Sequence, residues 1–273
     1  MKVLLITGSE IRHKAFVQVM AKAEYSICGV IHEEGYSLEN QLSKKETPIS
    51  NSMQEHLDLR QKYESRVFEK YLKNSSLNQN LISKRQYLSL RGDEFAHFVE
   101  KIAPDLIAVY GTSIIKGKVI DRFKNKILNL HLGLSPYYRG SGTLYHPFAN
   151  SQPYLAGSTF MYLDSGIDTG EIIHQLRIDL GAGKEFHEIC FKHLEKAFKT
   201  YKRLIENLDN IQAMEITPVE FTNKPRYYFK DSDFTEDSLV RLKNEMNLIR
   251  DEDNLTAYKK HENCFPIQSL NFI

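Results

Sequence analysis

The sequence predicts an α/β chain: a Rossmann-like, mostly parallel sheet flanked by helices, with a helical insertion and a short C-terminal appendage. Two observations predict it. The runs "KVLLITG", "DLIAVYG" and "KILNLHLG" are continuously apolar and close on glycine, as strands buried on both faces do. Segments of helical period separate such runs, the order that builds β-α-β crossovers.

Taken in order, Lys2 to Gly8 reads as the first strand. Ser9 stands where it can cap the next helix, in which Ala15, Phe16, Val19 and Met20 fall at helical spacing. "YSICGVIHE" is the second strand. This opening lacks GxGxxG, which weakens a dinucleotide reading. Residues 35–93 are polar and charged, and one helix is expected there from Met53 to Leu72. His56, Arg60, Glu64 and Phe68 are four apart and share one of its faces. That face is either solvated, with one Arg–Glu pair, or it lets His56 and Arg60 line a substrate pocket.

"DEFAHFVEKIA" reads as a helix that stops before Pro104. "DLIAVYG" is a buried strand, "TSIIKGKVIDRF" a partly helical connector and "KILNLHLG" the next strand. "GSTFMYLDSG" and "EIIHQLRIDL" are two more strands, separated by a Gly/Asp-rich turn. Phe186 to Leu208 is a long amphipathic helix whose stripe includes Ile189, Leu194, Phe198, Tyr201 and Leu204. After about Thr217 the character changes: residues 216–273 hold eight Lys/Arg against ten Asp/Glu, and "EDSLVRLKNEM" reads as a short helix. The expected organisation is therefore a catalytic domain over 1–215 and a small appendage over 216–273.

The chain has 273 residues and a net charge of +1, so bulk electrostatics calls for neither a nucleic-acid nor a membrane partner. Cys28, Cys190 and Cys264 are far apart and form no metal-binding pattern. Reduced thiols and a cytoplasmic location are the expectation, and "MKVLLITGSE" reads as a first strand rather than a signal peptide.

The residues suited to chemistry cluster after two strands. Asn129 and His131 alternate at a strand's end, so their side chains share a face. "LDSGIDTGEII" offers Asp164 and Asp168 beside Gly166 and Gly170. An amide can donate to a developing oxyanion, an imidazole can move a proton near neutral pH, and a carboxylate can orient the imidazole. No serine or cysteine sits in a nucleophile motif, so direct attack by a substrate amine suits the set better than a covalent intermediate. Spacing alone also permits a satisfied polar pair beside an ordinary turn.

"NLHLGLSPYYRG" followed by "STFMYLDSGIDTGEIIHQ" resembles the 10-formyltetrahydrofolate-dependent formyltransferases. That family includes methionyl-tRNA, glycinamide ribonucleotide and sugar N-formyltransferases. The resemblance covers roughly Met1 to Leu208, apart from 35–93. It implies the formyltransferase fold and 10-formyltetrahydrofolate as formyl donor. Asn129, His131 and Asp168 would be catalytic. Val109, Tyr110, Gly111, Ile114 and Ile115, with Asp164, Gly166 and Gly170, would hold the folate, Tyr110 and Ile114 as apolar walls; for Tyr110 plain core packing is the alternative. Gly133 and Ser135 depart from the family pattern, which often has Ser and Leu there. The loop "TGSEIRHK" lacks the Gly-Ser-Asn that holds a ribonucleotide phosphate, which puts a role in purine synthesis in doubt.

The acceptor implied is a small amine. The tRNA-directed members carry a basic C-terminal barrel, whereas this tail is slightly acidic, so no nucleic-acid partner is expected. The chain is most similar to formyltransferase-like proteins of bacterial surface-polysaccharide pathways, which points to a nucleotide-linked amino sugar. Arg12, His13, Tyr138, Arg139, Tyr145 and His146 are acceptor-side candidates, each with a packing role as its alternative. "PRYYFK" (225–230) either stacks on a nucleotide or packs the tail against the sheet. A formyltetrahydrofolate hydrolase and a methionyl-tRNA formyltransferase-like activity are the competing functions, and residues 35–93 are a candidate lid or arm of a homodimer.

Overall fold

A computed structural model describes residues 1–35, 49–73, 77–86, 88–214, 218–221, 226–270 and 273. The main sheet has seven strands: β1 (Lys2–Thr7), β2 (Ser26–Glu34), β3 (Ile82–Gln86), β4 (Leu106–Tyr110), β5 (Ile127–His131), and, after the short β6 (Tyr138–Gly140), β7 (Gly157–Tyr162) and β8 (Ile172–Arg177). Their order is β3-β2-β1-β4-β5-β7-β8. The first five in that order run parallel, and β7 and β8 continue the sheet antiparallel. The fold is the mostly parallel, helix-flanked sheet that the apolar runs predict.

Both faces are covered, which is why the central strands are apolar throughout. Val3, Leu5, Ala108 and Leu130 belong to one core. There they meet α1 (Ile11–Met20), α2 (Asn51–Phe68) and α6 (Phe186–Glu206) through Phe16, Phe68, Phe198 and Tyr201. Leu4, Ile6, Ile107 and Val109, one residue out of phase, belong to the opposite core with Phe95 and Val99 of α3 (Gly92–Ile102) and Val119 of α4 (Lys118–Arg122). Alternation along each strand feeds both layers.

Several elements differ from the sequence reading. Glu10, not Ser9, is the N-cap of α1, and its N–H donates to His13 Nδ1 at 3.1 Å. The helix expected over 53–72 runs from Asn51 to Phe68, and its last turn tightens into a 3₁₀ turn over Glu69–Tyr71. Its four-spaced face is not solvated: His56 and Glu64 are buried and Phe68 is fully so. The 35–93 segment also supplies edge strand β3, pairing Val30 with Ile82 through Glu34 with Gln86. "ISKRQ" has no apolar alternation to announce it.

β9 (Tyr227–Phe229) pairs parallel with β6. α8 (Glu236–Ile249) begins at a Thr235/Ser238 capping box and packs Leu239, Leu242 and Met246 into a core shared with Phe148 of α5 (His146–Ala149) and Ile189 of α6. α7 (Leu208–Ala213) and α9 (Glu252–Glu262) complete the described helices. The expected division between residues 215 and 216 lies outside the described residues. No helix among the described residues is long and apolar enough to cross a membrane. The three cysteines are free thiols.

Candidate active site

Past the carboxyl ends of β1, β4 and β5 lies a cleft of about 660 Å³, where open α/β sheets place ligands. β5 ends on His131, and Asn129 and His131 point away from Leu128 and Leu130, which fill the core beneath α1 and α6. Both polar side chains line the cleft.

Asp168 reaches the same place from the β7–β8 connection. Its backbone is left-handed, φ 52°, a region that aspartate tolerates better than most residues. Its Oδ2 accepts from the Gly140 N–H at 2.8 Å, and its Oδ1 stands 3.3 Å from His131 Nδ1. On the other side of the ring, Nε2 faces the Tyr138 carbonyl at 3.1 Å. His131 is 7% exposed. Its plane is therefore set by a carboxylate at one nitrogen and a carbonyl at the other, and a proton on either nitrogen has an acceptor. Gly133 gives the ring its room: a Cβ there would fall 2.4 Å from His131 Nε2 and 2.7 Å from the Tyr138 carbonyl. Serine at that position, common in the resembling family, has no space in this chain.

The residues expected at the folate are placed unequally. Val109, Tyr110, Gly111, Ile114, Ile115, Asp164 and Gly166 line the cleft; Gly170 does not. A Cβ at Gly170 would sit 1.8 Å from the Tyr162 carbonyl, so this glycine serves close backbone packing. Asp164 shapes its own turn, accepting from Gly166 N at 2.9 Å and Thr169 Oγ1 at 2.8 Å. Ile114 is 42% exposed at the cleft. Tyr110 is fully buried against Phe16 and Phe198, so its side chain is core rather than an exposed wall. The loop after β4 is held by Glu33, which the sequence reading missed. This buried carboxylate accepts from Ser113 N at 2.6 Å, Ser113 Oγ at 2.5 Å and Leu88 N at 2.8 Å. As the last polar residue but one of an apolar strand, it reads in sequence as a solvated terminus.

Among the acceptor-side candidates, Arg12, His13, Tyr145 and His146 line the cleft, and Tyr138 and Arg139 do not. Tyr138 is fully buried, donates to Gln152 Oε1 at 2.7 Å and lies parallel to Phe229; only its carbonyl serves the site. Arg12 clasps Glu64 with Nη1 at 3.0 and 3.2 Å and with its own N–H at 3.0 Å. Its charge is thus matched inside the protein. His13 packs between Gly8 and Gly111, where either Cβ would strike its ring. Burial, then the Arg12 and Arg60 charges, push His13 well below the ordinary imidazole range. Burial likewise lowers His146 and His56 to about 4. Tyr145 donates to or accepts from Ser238 Oγ at 2.8 Å.

His56 and Arg60 line the cleft. The C-terminal segment both packs and lines: Tyr227 meets Tyr138, Phe229 stacks on His146 at 3.8 Å, and Tyr228, 47% exposed, borders the cleft with Lys230. Pro225 lies outside the described residues.

A methionyl-tRNA formyltransferase of Finegoldia magna is 35% identical over 94 residues, 34% of this chain and 30% of that protein. The chain spans about half or less of the length of the curated relatives it matches. A sugar N-formyltransferase from a Shewanella species has a TM-score of 0.54 at 14% identity, covering 89% of this chain and 87% of that one. Glycinamide ribonucleotide transformylase 1 from Symbiobacterium toebii gives 0.53 at 15% identity, covering 81% and 91%. These two share the fold. The family model for formyl transferase matches residues 4–205, from the first strand to the end of α6, and this chain belongs to the formyl transferase family.

Proposed function

We propose that this protein transfers a formyl group from 10-formyltetrahydrofolate to a primary amine of a small acceptor, a nucleotide-linked amino sugar. The observation that carries this reading is the meeting of Asn129 and His131, from the end of β5, with Asp168, from the β7–β8 connection, around one cleft, His131 and Asp168 being 3.3 Å apart.

The cleft suits the donor. A pteridine is flat and heteroaromatic, and needs apolar walls with backbone donors and acceptors at its rim. Ile114, Ile115 and Leu163 offer the walls, and the Gly111–Ser113 and Asp164–Gly166 turns offer main-chain groups. When bound, 10-formyltetrahydrofolate supplies an electrophilic formyl carbon.

The chain's own residues then act on charge and protons. Asn129 directs a neutral amide at the carbonyl oxygen and favours the negative charge that grows there. His131 moves the proton lost by the attacking amine to the donor nitrogen, which leaves as its bond to the formyl carbon breaks and the new amine–formyl bond forms. Asp168, fixed by the Gly140 N–H, orients the imidazole from 3.3 Å. Arg12, His13, Tyr145 and His146 belong to the acceptor side of this scheme, with His56 and Arg60.

The acceptor half of the proposal is supported by charge and by the wall. Residues 216–273 are slightly acidic, which disfavours a polyphosphate backbone. Tyr228 presents an exposed ring for stacking on a base or sugar. The relatedness to methionyl-tRNA formyltransferases keeps tRNA as the second reading. The deciding experiment offers formyl-folate with a panel of nucleotide-linked amino sugars and, separately, with methionyl-tRNA, and reads one added formyl group by mass spectrometry. Formylation of a sugar supports the proposal. Formylation of methionyl-tRNA alone replaces it with the second reading, and release of formate without any amine replaces it with hydrolysis.

A further inference from the structure

The turn that follows His131 is held by side chains from the next two strands of the sheet. Thr159 of β7 is the cross-strand partner of His131, and Gln175 stands on β8. Both are fully buried. The Thr159 hydroxyl donates to the Gly133 carbonyl at 2.6 Å and accepts from the Ser135 N–H at 3.0 Å. Gln175 Nε2 donates to the Ser135 carbonyl at 2.8 Å and to Thr159 Oγ1 at 2.9 Å. A hydroxyl has one hydrogen and two lone pairs, so Thr159 Oγ1 is fully used. The C-terminal tail aims Gln175 in turn. Its Oε1 accepts from the Gln268 N–H at 3.0 Å, and its own N–H donates to the Gln268 carbonyl at 2.7 Å.

Packing alone does not call for polar residues at these places, where valine and leucine would fill β7 and β8. A buried hydroxyl or amide is disfavoured unless its bonds are made. Here those bonds satisfy three backbone groups of one turn, and that turn sets His131. Gly133 lies against the ring, where a Cβ would be 2.4 Å from Nε2. The Leu134 carbonyl accepts from the Tyr138 N–H at 2.9 Å, and the Tyr138 carbonyl faces His131 Nε2 at 3.1 Å. We infer that Thr159 and Gln175 are positioning residues for His131, and that through Gln175 the tail at Gln268 takes part in setting the imidazole. The inference rests on His131 as the proton carrier proposed above. Neither residue lines the cleft, so both act through the turn.

The test uses the full chain. Thr159→Val keeps the side chain's shape and removes the hydroxyl, and Thr159→Ser keeps the hydroxyl. Gln175→Leu cuts the link to the tail without emptying the Thr159 site. Leu134, packed over Gly157, still anchors the turn, so calorimetric affinity for 5-formyltetrahydrofolate should be unchanged in all three. With dTDP-4-amino-4,6-dideoxyglucose as acceptor, kcat in T159V should fall about tenfold to a hundredfold, the scale of a small misplacement, at unchanged acceptor KM. T159S should recover most of that loss. In isotope-labelled protein the Cε1–H resonance of His131, identified by its loss in His131→Gln, should move in T159V and Q175L and stay in T159S. That readout needs no acceptor, so a sugar that is not formylated by the unmutated protein overturns the acceptor reading alone. A parental kcat in T159V, or a His131 resonance left in place, would overturn the inference. A raised acceptor KM at constant kcat would also overturn it, by assigning the two residues to acceptor binding.

Discussion

Asp168 Oδ1 lies 3.3 Å from His131 Nδ1, and the same carboxylate takes the Gly140 N–H at 2.8 Å on its other oxygen. One acid therefore ties the β7–β8 connection to β6 and orients an imidazole at the end of β5. Asp168→Asn keeps an oxygen for Gly140 and removes the negative charge facing the ring. On the proposed reaction, kcat should fall about 10²-fold while the thermal midpoint stays near that of the parent. A variant with full activity would show that the carboxylate only closes the turn.

Asn129 lines the cleft on the same strand face as His131. If its amide is the main donor to the carbonyl oxygen, Asn129→Ala should lower kcat by about 10²–10³, with little change in affinity for 5-formyltetrahydrofolate. Steady-state rates and calorimetry separate the two. Near-parental turnover would remove Asn129 from the mechanism.

Gly133→Ala tests the packing beneath the imidazole. The added methyl would meet His131 Nε2 at 2.4 Å and the Tyr138 carbonyl at 2.7 Å, both far inside contact distance. The ring must turn or the β5–β6 connection must shift. Turnover should therefore fall much more than the cost of one methyl to stability, which is about 1–3 kcal/mol for overpacking. A variant that loses stability but keeps its rate would show that the ring's orientation is dispensable.

The sequence announces what is local. Val3 to Ile6 are apolar because both faces of β1 are covered, and Asn129 and His131 can be paired from strand alternation alone. What it conceals depends on distant partners. β3 is a polar edge strand whose place is set by β2. Tyr138 stands within the motif, yet its ring enters the core beside Phe229 of β9, nearly a hundred residues on. Glu33 carries no spacing signal at all, since it acts on the loop after β4 through Ser113, which folding brings to it.

Buried imidazoles should make the protein acid-sensitive above the range where its carboxylates titrate. Burial lowers His174 from 6.5 to about 4 and His193 from 6.5 to about 3. His174 Nδ1 accepts from the Leu270 N–H at 3.0 Å, a bond that a proton on that nitrogen would break. Between the folded and unfolded values the unfolded chain binds more protons, so stability rises with pH there. The contribution is complete above about 6.5 and is lost as pH falls from 6.5 toward 4. Urea midpoints measured across that window should drop steadily, and His174→Gln should flatten the profile. A midpoint independent of pH down to the carboxylate range would refute the assignment.

Tyr201 offers a stability test one residue from the site. It is fully buried on α6. Its hydroxyl donates to the Leu128 carbonyl of β5 and accepts from the Val109 N–H of β4 at 3.1 Å. One oxygen thus bridges the two strands where they approach the cleft. Tyr201→Phe preserves the ring against Phe16 and Phe160 and leaves a carbonyl and an N–H without that partner. Desolvated groups left unpaired cost about 1–3 kcal/mol, which should appear as a lower urea midpoint with an unchanged slope. Asn129 follows Leu128 directly, so turnover should fall as well, although the hydroxyl touches no substrate. A hydroxyl that only fills space would leave both the midpoint and the rate where they were.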